Sequence, residues 1–190
     1  MALMQNGVIR AGDPESRWSP ALDNRLVGLW AFLATVAMLF AGFTSAILVR
    51  RTSPDWQPIP LPGILWMNTI LLIASSMALE RARALAGQER PREARGWVLA
   101  AALLGFLFLS GQVGAWQQLR ALGIFLPSNP HSSFFYILTG VHGAHLLGGL
   151  FGLGYLLVRP RRAAALNLWA TYWHFLGGLW LYLFVMLFVV

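Results

Sequence analysis

Five long apolar stretches, separated by short polar loops, dominate the hydrophobic pattern of this chain. A helix needs about 20 apolar residues to cross roughly 30 Å of hydrocarbon, and each stretch reaches or approaches that length. The stretches cover residues 26–49, 62–79, 97–119, 133–158 and 166–190. The pattern therefore predicts an all-α polytopic membrane protein, built as a bundle of five transmembrane helices.

The loops between the stretches are short, which predicts that consecutive helices are antiparallel neighbours with no separate soluble domain. The predicted organisation is a polar tail at 1–25 followed by the five-helix domain at 26–190. The tail lacks the apolar core of a signal peptide, so we expect the first stretch to remain in the membrane as an anchor. Residues 128–132 form a Ser-Asn-Pro-His-Ser sequence, which is typical of a turn followed by a helix cap.

Composition and charge agree with a membrane protein and indicate its orientation. Of 190 residues, 57% are hydrophobic and 11% charged, and the mean hydropathy is +0.61. The net charge of +7 comes from 14 arginines, of which eleven lie on the side of the N-terminus in a five-span topology. By the positive-inside rule, the N-terminus is cytoplasmic and the C-terminus periplasmic. We expect a multi-pass protein of the bacterial inner membrane, with no nucleic-acid partner.

The chain has few residues that could perform redox or proton chemistry within the membrane. It contains no cysteine, which removes thiolate metal sites and iron–sulfur clusters. All seven acidic residues fall outside the apolar stretches or at their edges. A proton path through the chain would need titratable groups at depth, and three histidines are the only candidates. No catalytic residue, metal ligand or cofactor is therefore predicted in this chain.

Those three histidines lie beside small residues on the last two stretches. His142 and His145 precede Gly148 and Gly152 on the fourth, and His174 precedes two glycines on the fifth. Because hydrocarbon offers an imidazole no hydrogen-bond partner, these rings should face protein. Histidines three residues apart cannot ligate opposite faces of one haem, and the stretches supply no carboxylate for a metal. Helix packing or subunit contact is the favoured role for the three histidines and for the two named glycines, Gly148 and Gly152.

The second and third stretches carry uncharged polar residues. Asn68 and Ser75, like Thr69 and Ser76, are seven residues apart and so lie on one side of a helix. This stripe could line a water path, but hydrogen bonding between helices is the favoured interpretation. Gln112 on the third stretch is assigned to packing in the same way.

Six of the nine tryptophans fall into two predicted groups. Four lie near the ends of stretches and are interpreted as an interfacial aromatic belt: Trp97, Trp116, Trp169 and Trp173. Trp66 and Trp180 fall deeper, and we expect them to pack against neighbouring helices or a partner subunit.

Three motifs resemble those of a known family. They are Gly140-Val141-His142-Gly143-Ala144-His145, the earlier His131-Ser132-Ser133-Phe134-Phe135, and Tyr172-Trp173-His174-Phe175 followed by Trp180. In this order they are similar to subunit III of the haem-copper terminal oxidases, of which cytochrome c oxidase is one. The resemblance covers nearly the whole chain, apart from about the first twenty residues and the loop at 88–95, and matches the short five-helix bacterial form.

The resemblance implies a non-catalytic subunit of an enzyme that couples oxygen reduction to proton translocation in the respiratory chain. Such a subunit packs on the catalytic subunit I and other oxidase subunits, while haem and copper reside in those partners. It holds phospholipid and helps to keep turnover stable. The family arginine that holds a structural phospholipid corresponds to Arg159 here. A respiratory supercomplex is a further candidate assembly.

Two positions depart from the family pattern. The glutamate expected in the first span is replaced by Val36, and the aspartate often found three residues after the last histidine is replaced by Gly177. Properties that the resemblance ascribes to the buried glutamate of the first span are therefore not expected here. Both changes favour a packing role.

Several other functions stay open at the level of sequence. The chain alone barely separates this subunit from the related subunits of quinol oxidases and of nitric oxide reductases. A free-standing membrane carrier is a rival from another class, although the usual broken helices, inverted repeats and midplane charges are missing. A b-type cytochrome would pair His142 or His145 with His174.

Overall fold

The structure, a computed structural model, describes residues 24–158 and 163–189. Within these ranges the regular structure is entirely helical, so the all-α prediction is confirmed. The predicted N-terminal tail lies outside the described residues except for its last two positions, and Arg159 lies outside them as well. The five helices are α1 (Asn24–Arg50), α2 (Ile64–Gly87), α3 (Pro91–Ala121), α4 (Pro130–Val158) and α5 (Ala163–Val189).

Local signals account for where several helices begin and end. Pro91 opens α3, where its missing N–H leaves no hydrogen bond unmade. The Asn129 side chain caps α4 by accepting the Ser132 backbone N–H at 2.9 Å, which confirms the predicted turn and cap. After α3, Gly123 has a φ of +74°, a left-handed conformation that glycine adopts without strain.

Helices α2 to α5 form a closed four-helix bundle in which each helix contacts two others. The contacting pairs are α2 with α3, α3 with α4, α4 with α5, and α2 with α5. Hydrogen bonds show the antiparallel order, since Trp180 contacts Thr69 whereas the earlier Trp173 contacts the later Ser75. The core therefore lies between these four helices.

Helix α1 lies outside this bundle and contacts α4 and α5 alone. Its buried face consists of Leu33, Val36, Phe40 and Ile47. The Thr44 hydroxyl lies 2.7 Å from the Tyr182 hydroxyl of α5, which fixes the rotation of α1 on its neighbour. The remaining faces of α1 expose large apolar side chains, as expected of a helix that meets lipid or another subunit.

Four helices, α1, α3, α4 and α5, are long and apolar enough to cross a membrane. Helix α2 is less apolar because it carries the predicted polar stripe and then continues past the apolar stretch. It ends at Gly87 rather than near the predicted residue 79. The polar and charged positions that lower its hydropathy are Asn68, Thr69, Ser75, Ser76, Glu80, Arg81 and Arg83.

Candidate functional site

Two buried indole rings of α5 join three helices at the centre of the bundle. Trp180 donates its N–H to the Thr69 hydroxyl and Trp173 donates to the Ser75 hydroxyl, each at 3.0 Å. Ser75 in turn donates to the Ala101 carbonyl of α3 at 2.8 Å. The polar stripe of α2 is thus used for bonds between helices, where such bonds fix orientation because no water competes.

Glycines provide the room for these rings. The Trp173 ring lies between Gly105 of α3 and Gly149 of α4, where an added Cβ atom would come within 2.6 and 2.9 Å of it. Gly152 lies directly against the Trp169 ring, so an added Cβ there would collide with the indole. Gly148 is exposed, and a Cβ would meet only the Tyr172 hydroxyl at 3.7 Å. Of the two glycines predicted on α4, Gly152 therefore makes the close helix contact.

The interfacial assignment of Trp173 is wrong. Its side chain is fully buried and hydrogen-bonded to α2 instead of lying at a membrane boundary. Its partner glycine on α3, Gly105, was also missed by the sequence reasoning. A signal was available in the sequence: glycines recur on α3 and α4, whereas α5 carries three tryptophans that need space between helices.

His142 occupies the aromatic core of the bundle. The imidazole is completely buried, with ring centroids 6.0 Å from Phe108 of α3 and 5.4 Å from Trp180 of α5. Neither ring nitrogen has a hydrogen-bond partner within the described ranges. The histidine faces protein, as predicted, but it packs through its ring face and edges.

Asn68 and Gln112 meet across the interface of α2 and α3. The Asn68 amide donates to the Gln112 side-chain oxygen at 3.3 Å, and both side chains are buried. Gly111 lies against the Asn68 side chain, leaving no space for a larger residue there. This pair joins the same two helices as Ser75 does. It lies closer to Ile64, the first residue of α2.

His145 lies where α1, α4 and α5 meet. Its Nδ1 atom is 2.8 Å from the Val141 carbonyl, and its backbone carbonyl accepts the Tyr172 hydroxyl at 2.8 Å. The imidazole lies 6.4 Å from the Phe32 ring and 6.1 Å from the Phe40 ring of α1. His145 is therefore part of the surface that receives the peripheral helix.

His174 belongs to a polar cluster on the outer face of α2 and α5. Its Nε2 atom is 2.9 Å from a Glu80 carboxylate oxygen, which also accepts the Arg83 guanidinium at 3.0 Å. Arg83 donates to the Asn167 side chain of α5 at 3.1 Å. The Glu80 side chain remains 56% exposed, so further donors can reach it.

The sequence reasoning did not pair His174 with Glu80, since it placed every acidic residue outside the apolar stretches or at their edges. The available signal was that Glu80 is the acidic residue nearest an apolar stretch and His174 is the one histidine of α5. Because Asn167 and Arg83 also meet, the same turn of α2 contacts α5 twice.

The two departures from the family pattern lie in packed positions. Val36 is 2% exposed in the buried face of α1. Gly177 faces α2, where an added Cβ would lie 3.2 Å from the Ser76 hydroxyl. Both positions contribute apolar or small surface to helix contacts.

The described residues contain no group of three or more histidine, cysteine, aspartate or glutamate side chains that could hold a metal ion. His142 lies among aromatic rings in the core, while His174 pairs with a carboxylate on the surface. The two are not brought together as a haem would require. The arrangement offers packing surfaces and, around His174 and Glu80, an exposed polar cluster.

Comparison with known proteins gives the family. The family model described as cytochrome c oxidase subunit III matches residues 25–190. A cytochrome c oxidase subunit 3 of Thermostichus vulcanus is 30% identical, with 88% of each chain covered. A probable cytochrome c oxidase subunit 3 of Mycobacterium bovis is 31% identical over 86% of this chain and 87% of its own. A third, from Synechocystis, is 31% identical over 88% of this chain and 76% of its own. The chain therefore belongs to the cytochrome c oxidase subunit III family.

Proposed function

We propose that this chain is a non-catalytic, lipid-binding accessory subunit of a respiratory haem-copper oxidase. It packs on the catalytic subunit I, where haem and copper reside, and keeps the complex active during turnover. The observation that carries this proposal is the family match over residues 25–190. It is supported by relatives from several bacteria, each named as an oxidase subunit 3.

The chemistry of the described core supports a structural role. The acidic residues of the described chain all lie on its surface: Asp55, Glu80, Glu89 and Glu93. The core is instead filled by indole, imidazole and glycine contacts between helices. Without a carboxylate at depth, this part of the chain has no obvious relay for protons. We therefore assign proton and electron transfer to partner subunits.

The exposed apolar surface supports association with partners in the membrane. Three large apolar side chains of α2, Trp66, Ile70 and Met77, are each at least 58% exposed. Lipid alone would satisfy such a face, and so would a helix of subunit I. The predicted orientation places the N-terminus in the bacterial cytoplasm, because most arginines lie on that side.

The lipid site is proposed at Arg159, which directly follows the last described residue of α4. A guanidinium at the level of the headgroups can bind a phosphate oxygen with two parallel hydrogen bonds. Arg161 and Arg162 follow closely and add positive charge to the same surface. The phospholipid would then occupy the space beside α4, where acyl chains meet apolar side chains.

Replacing Arg159 by alanine is expected to reduce the phospholipid that copurifies with the complex and to shorten its active life. Initial oxygen consumption should stay close to the wild-type rate, because no redox step uses this side chain. The measurements are phosphorus per haem and the decay of oxygen uptake during continuous turnover. Arg120→Ala is the matched control, because the predicted topology places Arg120 on the opposite side of the membrane. Oxidase that lacks this chain altogether shows the fastest inactivation to be expected. An immediate loss of oxygen uptake in a fully assembled Arg159→Ala complex would contradict the proposal.

A further inference from the structure

The loop between α1 and α2 is fastened to the start of α4 by one histidine. The Ile59 backbone N–H donates to the Nδ1 atom of His131 at 3.1 Å, and both residues are buried. The Trp56 ring stacks on the imidazole with centroids 5.0 Å apart and planes inclined by 16°. Trp56 also contacts Phe134 one turn further along α4. We call these contacts the His131 latch.

The proline pattern makes this hydrogen bond the main polar tie of the loop segment. Ile59 lies between Pro58 and Pro60, which have no N–H to donate. The Ile59 N–H is thus the only backbone donor in these three residues. It points to the imidazole instead of water, and leaving it unpaired in a buried position would be costly.

The latch requires an uncharged imidazole. Because Nδ1 accepts a hydrogen bond, the proton of the neutral ring lies on Nε2. A second proton on Nδ1 would place two donors face to face and abolish the bond to Ile59. The side chain is 3% exposed, so water cannot easily replace that bond while the loop remains in place.

Nearby charged groups do not compensate for the loss of the hydrogen bond between Ile59 and a protonated His131. Asp55 in the same loop pairs with Arg50 at the end of α1 at 2.6 Å. Arg51 is exposed beside it, and Tyr136 on α4 donates its hydroxyl to the Ile124 carbonyl of the α3–α4 loop. No carboxylate in the described chain forms an ion pair with His131. Protonation would therefore bring a charge into the site without a counterion.

We propose that the His131 latch is a pH-sensitive fastening of the α1–α2 loop, closed when the imidazole is neutral and released when it takes up a second proton. The loop also supplies Asp55 and Gln57 to a groove of about 960 Å³ between the end of α1 and the start of α4. Release would change one wall of that groove. The device depends on His131, Ile59 and Trp56, and it stands whether or not the chain assembles with an oxidase.

Amide hydrogen exchange of the purified full chain, in its complex or in mild detergent, tests the latch. In the wild type, protection of the Ile59 amide should fall about tenfold between pH 7.5 and pH 5, after correction for the intrinsic rate, which matches the loss of one buried hydrogen bond. The charged ring can still stack on Trp56, so the Ile59 amide reports release more directly than tryptophan fluorescence.

Two variants separate protonation from general acid loosening. Asparagine can present an acceptor near the position of Nδ1 but does not titrate, so His131→Asn should keep the Ile59 amide protected at both pH values. His174→Asn, which removes a distant histidine, should leave the wild-type response intact. Equal loss of protection in His131→Asn and wild type would overturn the proposal. Constant protection in the wild type would overturn it as well, even if the variant failed to fold.

Discussion

Replacing Trp173 by alanine should lower the free energy of unfolding by about 3–5 kcal/mol, the usual cost of deleting a large buried aromatic side chain. The indole is fully buried between Gly105 and Gly149, and these glycines cannot fill the space it would leave. The Ser75 hydroxyl would also lose the donor that joins α5 to α2. The measurement is SDS-induced unfolding in mixed micelles, followed by circular dichroism.

Trp66→Ala is the matched control for this experiment. Trp66 is 58% exposed and contacts Phe184 and Phe188 at the surface of the bundle. Its removal should change the free energy of unfolding by less than half as much. If the two variants were equally stable, the central position of the Trp173 ring would be wrong.

Gly152→Ala and Gly154→Ala should change stability in opposite directions, although they lie two residues apart on α4. A Cβ atom at Gly152 would collide with the Trp169 ring, and such overpacking costs about 1–3 kcal/mol. At Gly154 an added Cβ meets nothing within 4 Å. Alanine there should stabilise the helix by up to about 1 kcal/mol, because glycine is the poorer helix former.

Thermal unfolding of both glycine variants in the same detergent provides the comparison. Since both changes add one methyl group to the same helix, differences in expression or detergent binding are minimised. A stabilising effect of Gly152→Ala would show that α4 and α5 are further apart than the structure places them.

The number and position of the helices could be predicted from the length of the apolar stretches, because hydrocarbon imposes a minimum span. Helix ends were harder to place. Helix α2 continues from the predicted end at 79 to Gly87, and α3 begins at Pro91 instead of Trp97. Charged residues end an apolar stretch but are good helix formers, so a helix can continue into water where hydropathy stops.

The partners of individual side chains were largely beyond prediction. Trp173 was assigned to a membrane boundary because of its place in the stretch, but Ser75, its hydrogen-bond partner, lies 98 residues away. The expectation that His142 faces protein follows from the cost of an imidazole in lipid. Its contacts with Phe108 and Trp180 depend on how α3, α4 and α5 are rotated, which hydropathy does not encode.

Isolation of the tagged chain in a mild detergent, with an optical spectrum and mass spectrometry of what accompanies it, tests the central claim most directly. The proposed function predicts recovery of a haem-bearing catalytic oxidase subunit in equal amount, together with bound phospholipid. A colourless chain that elutes alone from membranes with an intact oxidase would contradict the accessory role and favour a free-standing carrier.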